Sequence, residues 1–596
     1  MTVAAAGRTT GSKGISFLWD RKLDSYPDNG PRIFYLALTV LATIMLYYEL
    51  YVGGSVSTLF LPKLHMSFTF YVYTVAFSNL IGAFGSLFAG LTDRIGRTNI
   101  VAGGLVLTGI FVTFIIPAAT NKWAFTIEGW LVGVIEGICL VATPALIRDF
   151  SPQVGRGTAM GFWTTGPVVG SLVVAVVASN TIPATVSTSF WTHEYHICGV
   201  VGLIVAVIAL VGMRELSPRL RDQLMVSMQD RVLIEAKAKG IDIEESLKNP
   251  WGQLLKLDVI ASAIGISVFL FVYYTAVGFG LIFFVTVFGF STKDANGLGN
   301  WNWGFNVIAA ILFGFLSDRF HVRKPFMIGG GVAAAIMTVV WLEQIGHHPS
   351  YYTLAILVAI LSFTLGIAYV PWMASFTETV EAHNPALTAT GLAIWGWILR
   401  VIVFALFMIL PSFLSTVTPL VDYGSGVSAA AAQYSTQLAA AQKFAPQLAI
   451  IQAHPALFTE LSAHPTPALI AQAEKVAGAK NFGIIVANTK AITSVIEAAS
   501  APGNAALYGT ANGKAVNGFN YVVAHGNAVV AAAKKEPGQW KNWYWVCFGA
   551  IILFLGTVPL MKGRWSPKKA REDEEAHEAM VAAEMAKLGI STPATA

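Results

Sequence analysis

Residues Gly90–Arg97 read Gly-Leu-Thr-Asp-Arg-Ile-Gly-Arg and follow an apolar run. A similar loop, Gly314–Arg319, reads Gly-Phe-Leu-Ser-Asp-Arg and follows another apolar run. A second pair of related segments is Thr158–Gly161 and Thr388–Gly391, and its members are 230 residues apart, against 225 for the aspartates of the two loops. The nearly constant separation predicts a parallel duplication, in which two similar halves surround a central site.

The composition indicates a membrane protein. The chain has 596 residues, of which 55% are hydrophobic and 12% are charged. Soluble proteins carry about 25% charged residues, so the chain lacks the polar surface that a soluble protein of this size needs. A cytosolic enzyme is therefore excluded. We expect no metal and no cofactor, because the three cysteines lack metal-ligand spacing and no Gly-x-x-x-x-Gly-Lys-Ser/Thr segment is present.

Twelve apolar runs approach the length of about 20 residues that a membrane-spanning helix needs. Lys and Arg concentrate in the loops on one side, which predicts that this side and both chain ends are cytoplasmic. We expect an all-α, multi-pass protein of the cell (plasma or inner) membrane, with twelve transmembrane helices in two six-helix, pseudo-symmetric halves. The predicted spans 1 to 12 are residues 32–53, 68–90, 98–119, 123–147, 158–179, 194–213, 258–284, 298–316, 325–345, 351–375, 387–412 and 543–561.

Two longer segments interrupt the series of spans. Residues 214–257 form a charged cytoplasmic linker between the halves, and residues 413–540 form an Ala-rich extracytoplasmic insert of short predicted helices between spans 11 and 12. The insert is interpreted either as a helical cap or spacer, or as a segment that captures substrate or contacts a cell-envelope partner. The other predicted units are a tail at 1–31, the first half at 32–213, helices 7–11 at 258–412, helix 12 at 541–562 and a tail at 563–596.

The duplicated loops resemble a signature of the major facilitator superfamily, and the resemblance covers the chain outside the insert. A Gly-Pro-Val-Val-Gly segment in span 5 also carries it. The resemblance implies alternating access to a central site, in a monomer that moves a small molecule across the bilayer and binds no nucleic acid. An acid beside a helix N-terminus and basic partners can lock the halves at the cytoplasmic face, although the arginines alone would serve as a topology signal. The residues expected at the gate are Asp93, Arg94, Gly96, Arg97, Asp318, Arg319, Gly166, Pro167 and Gly170.

Four ionisable side chains lie inside the predicted spans: Glu49, Glu128, Glu136 and Arg400. Each costs at least about 2.5–3.5 kcal/mol near a helix centre, so each is a functional candidate. From the helical rise, Glu49 lies about 25 Å and Arg400 about 20 Å from the cytoplasmic start of their spans, at similar depths past the midplane. Glu136 lies nearer the cytoplasm, about 20 Å from the outer end of span 4. Glu128 lies close to the outer surface and is interpreted as structural.

Glu49 is the first predicted proton-coupling residue, because burial favours the protonated form of a carboxyl and lets it load and release a proton in a usable pH range. Its surroundings, Tyr47–Gly54 followed by Pro62, resemble the first span of the aromatic-acid and metabolite:proton symporter branches of the superfamily. Glu136, flanked by small residues, is either a second proton site or a hydrogen-bond partner across a helix interface. The alternative to proton coupling by Glu49 is a structural role, in which its carboxyl bonds to a neighbouring helix.

Arg400 is the predicted ligand of an anion. A guanidinium stays charged and offers a planar fork that matches a carboxylate. Its partner would be a substrate carboxylate, Glu49, or each in turn, so that a substrate displacing Glu49 from Arg400 would free Glu49 to bind a proton. The alternative is a structural ion pair between helices.

Polar and aromatic residues on helices that line the cavity in this superfamily complete the predicted site. They would supply hydrogen bonds and a flat apolar wall for a small organic acid, although aromatic residues at helical spacing are more often packing residues. Besides Arg400, the candidate substrate-binding residues are Tyr47, Tyr48, Tyr273, Tyr274, Asn302, Asn306, Tyr369 and Trp372.

The sequence thus predicts a secondary active transporter that takes up a small organic anion, a carboxylate, together with protons. The first alternative is a proton-coupled antiporter that exports drugs or metabolites, which the resemblance of the span 5 segment to antiporters favours. Arg400 opposes this alternative, because neutral or cationic drugs have no use for a fixed guanidinium. A transporter-like sensor is a further alternative, but residues 562–596 contain no recognisable signalling module.

Overall fold

The computed structural model describes residues 20–85, 95–151, 162–217, 220, 254–383 and 388–587. Helices dominate it. The helices of the first half are α1 (Asn29–Ser55), α2 (Ser57–Lys63), α3 (Phe68–Gly85), α4 (Arg97–Ile110), α5 (Lys122–Phe150), α6 (Gly166–Thr181) and α7 (Trp191–Gly212). The helices of the second half are α8 (Leu257–Phe269), α9 (Phe271–Phe288), α10 (Thr292–Arg319), α11 (Lys324–Gln344), α12 (Tyr351–His383), α13 (Thr388–Phe413) and α22 (Gly518–Thr557), whose first part lies within the predicted insert.

Each of the twelve predicted spans overlaps a helix, and span 7 is divided between α8 and α9. Ten helices of the described residues are long and apolar enough to cross a membrane. The two other spans are α6, which has only 16 residues, and α10, whose first turns are polar. The prediction of an all-α, twelve-helix membrane protein is confirmed.

Side chains and glycines fix where several helices begin and end. The amide side chain of Asn121 accepts hydrogen bonds from the backbone N–H groups of Trp123 and Ala124, at 3.0 and 3.1 Å, at the start of α5. The hydroxyl of Ser291 does the same for Asp294 at the start of α10. Gly289 ends α9 with φ +72°, a conformation that glycine adopts without strain. These caps satisfy backbone groups that helix ends leave without intrahelical partners.

The two halves meet along α3 and α13, and along α6 and α10. At the end of the bundle where α1 ends, hydrogen bonds join the halves directly. The Asn296 side chain donates to Ser55 O at 2.9 Å, and the Asn300 side chain donates to Ser179 Oγ at 3.0 Å. The halves are therefore closed against each other at this end.

Residues Thr416–Glu536 form a separate compact unit with its own apolar core. Phe444, Ile492 and Phe519 belong to this core. The unit contains α14 (Val417–Gln433), α15 (Ser435–Lys443), α16 (Ala445–Ala453), α17 (Pro455–Ala463), α18 (Pro467–Ala477), α19 (Ala479–Ala487), α20 (Thr489–Ser500), α21 (Ala505–Tyr508) and the hairpin β3 (Thr510–Ala511) and β4 (Lys514–Ala515). Its position outside the cell stays a prediction.

A short parallel sheet joins two segments that are distant in sequence. Strand β1 (Lys22–Leu23) pairs with strand β2 (Glu215–Leu216), which follows α7. Arg21, before β1, is 1% exposed. Burial and the nearby Arg214 lower the pKa of Arg21, whereas Glu215 acts in the opposite direction. The last described helix, α23 (Pro567–Lys587), follows α22 and is polar.

Candidate functional site

The loop before α4 is held by a carboxylate that lies far away in sequence. Gly96 has φ +106°, and a Cβ on it would overlap Glu215 Oε1, so this position requires glycine. The backbone N–H of Arg97 donates to Glu215 Oε2 at 2.7 Å, and its guanidinium pairs with Asp149 Oδ1 at 2.7 Å. The predicted gate residues Asp93 and Arg94 lie outside the described residues.

The second half repeats this arrangement. Arg323 pairs with Asp318 at 2.5 Å and with Glu378 at 3.1 Å. His321 stands in the same place after Asp318 as Gly96 does after the aspartate of the first loop, and its φ of +55° repeats the left-handed turn. Burial lowers the pKa of Arg323, but the carboxylates of Glu378 and Asp318 outweigh it and hold the pKa above its ordinary value. The predicted gate residue Arg319 is exposed instead.

The ion pairs of the two halves are therefore equivalent. Arg97 precedes its partner Asp149 by 52 residues, and Arg323 precedes its partner Glu378 by 55 residues. Sequence reasoning missed Asp149, Arg323 and Glu378 as a set, although the repeat spacing would have found them. Each described pair joins elements of one half, so a lock between the halves at this end stays a prediction.

The glycines of the span 5 segment pack α6 against α1. A Cβ on Gly166 would approach Thr43, and a Cβ on Gly170 would lie 2.6 Å from Tyr47 Cβ and 3.2 Å from Ile44 O. Such close approach is possible only for residues without a side chain. Pro167 lies in the first turn of α6, where its missing N–H leaves no hydrogen bond broken.

Helix α1 presents different chemistry on its two faces. The rings of Tyr47 and Tyr51 are one turn apart, with centroids at 5.5 Å. Arg400 on α13 acts electrostatically on Tyr47 and on Tyr274 of α9. Tyr47 and Arg400 therefore face each other across the boundary between the halves.

Arg400 is part-buried, and its one hydrogen bond to the described residues is long, from Nη1 to Gly82 O of α3 at 3.4 Å. Among the described residues it forms no ion pair with a carboxylate. A guanidinium has five N–H donors, so most of its hydrogen-bonding capacity is left for another partner. This is the property expected of an anion ligand.

The proposed pairing of Glu49 with Arg400 is absent from this structure. Glu49 is 3% exposed, and its carboxylate lies against Gly202 in α7, where a Cβ would overlap Glu49 Oε1. Glu49 follows Tyr47 by two residues, which is about 200° around a helix, so it cannot share the face that meets Arg400. Glu49 and Arg400 were predicted at similar depths in the membrane, but similar depth does not place two side chains in the same cavity.

The other candidate residues divide into two groups. Tyr369 lies near Tyr274 and Tyr47, so it belongs with Arg400. Asn302 lines a cavity between the halves with Tyr51, Ser171 and Trp303, and Tyr273 contacts the Trp303 ring at 5.4 Å between centroids. Of these, Tyr51, Ser171 and Trp303 had not been expected, although Tyr51 is one helical turn from Tyr47.

Tyr48, Asn306 and Trp372 are placed in packing positions instead. Tyr48 is 2% exposed and faces α7. The Asn306 side chain donates to Ser362 O at 3.0 Å, and Trp372 Nε1 donates to Ser262 Oγ at 2.9 Å. Both bonds lie within the second half, so these side chains stabilise that half and do not face Arg400.

Replacing Gly137 with Ala is expected to destabilise the protein. A Cβ on Gly137 would lie 2.5 Å from Gly82 O, a backbone atom that cannot move unless α3 shifts. Overpacking of this kind costs about 1–3 kcal/mol, which thermal unfolding in detergent measures. Gly129 in the same helix is the control, because a Cβ there meets nothing within 4 Å. An unchanged melting temperature for Gly137→Ala would contradict the close approach of α3 and α5.

Comparisons with known proteins agree with this architecture. The sequence model described as "Major Facilitator Superfamily" matches residues 33–399. Mouse sugar phosphate exchanger 3 is 24% identical over 370 residues, which cover 56% of this chain and 69% of that protein. The cis,cis-muconate transport protein of Acinetobacter baylyi is 22% identical over 311 residues, 52% of this chain and 70% of that protein.

A solved structure shows the same fold. It is a bacterial homologue of the human lysosomal transporter Spinster in an inward-facing, unoccupied conformation. The TM-score is 0.50 at 17% identity, and the alignment covers 91% of this chain and 100% of that one.

Proposed function

Because this chain belongs to the Major Facilitator Superfamily, we propose that it is a proton-coupled symporter that takes up a small organic anion, a carboxylate, by alternating access. The observation that carries the proposal is the position of Arg400. Its guanidinium lies at the boundary between the halves, beside Tyr47 and Tyr274, without an ion pair to any described carboxylate. A substrate carboxylate would complete the site.

The chemistry of the site favours an anion with an apolar body. Arg400 supplies a charged fork for two carboxylate oxygens. Tyr47, Tyr274 and Tyr369 offer hydroxyls next to it, and Tyr51 and Trp303 extend an aromatic wall into the cavity between the halves. Neutral and cationic molecules would leave the guanidinium without a counter-charge, which is unfavourable in a water-poor site.

The names of two relatives are consistent with an anionic substrate. Muconate is a dicarboxylate, and a sugar phosphate is also an oxyanion. At 22–24% identity these names support the class of charge and not a particular molecule.

We place proton binding at Glu49 and Glu136, of which Glu49 lies on the opposite side of α1 from Arg400. Glu136 and Arg400 both act electrostatically on Tyr47. Coupling would therefore pass through α1, which carries Glu49 on one face and Tyr47 on the other. This replaces the direct exchange of partners at Arg400. In this proposal the protein is a monomer of the cell membrane with both termini in the cytoplasm.

Uptake into proteoliposomes tests this function. The probes are labelled acetate, succinate, benzoate and cis,cis-muconate, with a pH gradient and a voltage imposed separately. Symport predicts that at least one of them accumulates beyond the level in protein-free liposomes when the outside is more acidic, up to about tenfold per pH unit for one proton per substrate. Outward movement of the probe driven by that same gradient would identify an antiporter instead. Absence of transport for all four probes would contradict the carboxylate class.

A further inference from the structure

Two buried carboxyl groups in the first half lack a partner among the described residues. Glu49 is 3% exposed and Glu136 is 1% exposed. None of their four carboxylate oxygens forms a hydrogen bond with a described residue. An ionised carboxylate is very unfavourable in such surroundings, and two neighbouring ones are more so.

The two groups converge on one place, between α1, α4, α5 and α7. The charge of Glu49 acts on Glu136. Both carboxylates also act on Cys139 of α5 and on Cys198 of α7. Cys139 itself packs against Gly104 of α4, since a Cβ there would overlap its sulfur atom. The pair therefore lies in the interior of the first half.

Thr108 of α4 lies at the same level. It follows Gly104 by one helical turn and so shares its face, which packs on α5. Because consecutive spanning helices run in opposite directions, one turn forward on α4 corresponds to one turn back on α5, from Cys139 to Glu136. Thr108 is 0% exposed, and its hydroxyl has no hydrogen-bond partner within the described ranges. In contrast, the buried hydroxyl of Thr338 in the second half donates to Ala334 O at 2.7 Å.

The other groups around the pair carry no positive charge. They are the thiols of Cys139 and Cys198 and, from α1 and α7, the side chains of Tyr47, Tyr48 and Glu194. Among the described residues, neither Glu49 nor Glu136 forms an ion pair or a hydrogen bond with a cationic side chain. The interior therefore cannot balance two negative charges.

We propose that Glu49, Glu136 and Thr108 form a single proton site that exchanges one proton per cycle. One carboxyl keeps its proton throughout. The other releases its proton as a carboxylate that accepts a hydrogen bond from Thr108, so the net charge of the site alternates between zero and minus one. Proton exchange in each transport cycle rests on the proposed function, whereas proton binding by the site does not. A monoanionic substrate would then move with one proton, without net charge.

Infrared titration of the purified full chain, without any substrate, tests this site. The observable is the carbonyl band of protonated carboxyl groups, followed from about pH 5 to about pH 9. The spectrum of the Glu49→Gln/Glu136→Gln double variant is subtracted, because other carboxyl groups also absorb; burial raises the pKa of Asp422, for example, to about 6. After this subtraction we expect one titrating carboxyl and one retained carboxyl in the wild-type protein. Glu49→Gln and Glu136→Gln should each show one titrating carboxyl and none retained.

Thr108→Val tests the role of Thr108 in the proton site, and Thr338→Val is the control. Loss of a hydrogen bond to the carboxylate should raise the midpoint of the titration by about 0.5–1 pH unit, whereas Thr338→Val should leave it in place. Two titrating carboxyls in the wild type after the double-variant spectrum is subtracted, none at all, or equal midpoints in both threonine variants would overturn the proposal. Because no substrate is present, these outcomes are separate from a failure of the transport assay.

Discussion

Replacing Arg400 with Gln is expected to lower carboxylate uptake by about 100-fold. Removal of one partner from a close charge pair costs about 2–5 kcal/mol, and 100-fold corresponds to about 2.7 kcal/mol. The loss should appear in uptake and not in stability, because the one bond that Arg400 makes to the described residues is long, at 3.4 Å to Gly82 O. Initial uptake rates and melting temperatures of the same preparation measure the two effects.

Arg400→Lys separates charge from geometry. Lys keeps the positive charge but loses the planar fork, so we expect a loss intermediate between the wild type and Arg400→Gln. Wild-type uptake by Arg400→Gln would show that the guanidinium is a structural feature. A clear fall in melting temperature that accompanies the loss of uptake would point to the same conclusion.

The double variant Glu49→Gln/Glu136→Gln is expected to abolish accumulation driven by a pH gradient. Neutral amides resemble the fully protonated site, so the variant should still carry substrate, but an amide has no proton to release. Exchange of labelled for unlabelled substrate at equal pH should therefore continue. The accumulation ratio should fall from about tenfold per pH unit to about one.

Glu128→Gln is the matched control for this variant. Glu128 lies on the same helix as Glu136, but it is part-exposed near the start of α5. Its replacement should leave accumulation intact. Retained accumulation in the double variant, with folding preserved, would exclude the two carboxyls as the proton site.

The sequence was sufficient for the fold because its evidence is periodic and repeated. Apolar runs of spanning length predicted the helices, and the duplicated aspartate loops predicted two equivalent halves. The ion pairs beside these loops were not predicted, because Asp149 and Glu378 lie on other helices, far in sequence from Arg97 and from Arg323, which itself was not among the expected gate residues. The β1–β2 sheet was also missed, since two-residue strands have no periodicity to detect.

For the candidate site, the residue types could be predicted from the sequence, but the helix face from which each side chain projects could not. Depth along a helix placed Glu49 level with Arg400, whereas the helical period places Tyr47 and Tyr51 on the face opposite to Glu49. Asn306 and Trp372 were named as cavity residues from their spans alone. Their bonds to Ser362 and Ser262 depend on helix packing within the second half, which no local pattern reports.

The central claim is that Arg400 holds the carboxylate of the substrate. Modification of Arg400 by phenylglyoxal, quantified by mass spectrometry, tests it most directly. Acetate, succinate, benzoate and cis,cis-muconate serve as protecting ligands, with the corresponding amides as uncharged controls. We expect at least one carboxylate to slow the modification of Arg400 while its amide does not. Equal protection by acid and amide, or no protection by any of the four acids, would contradict the claim.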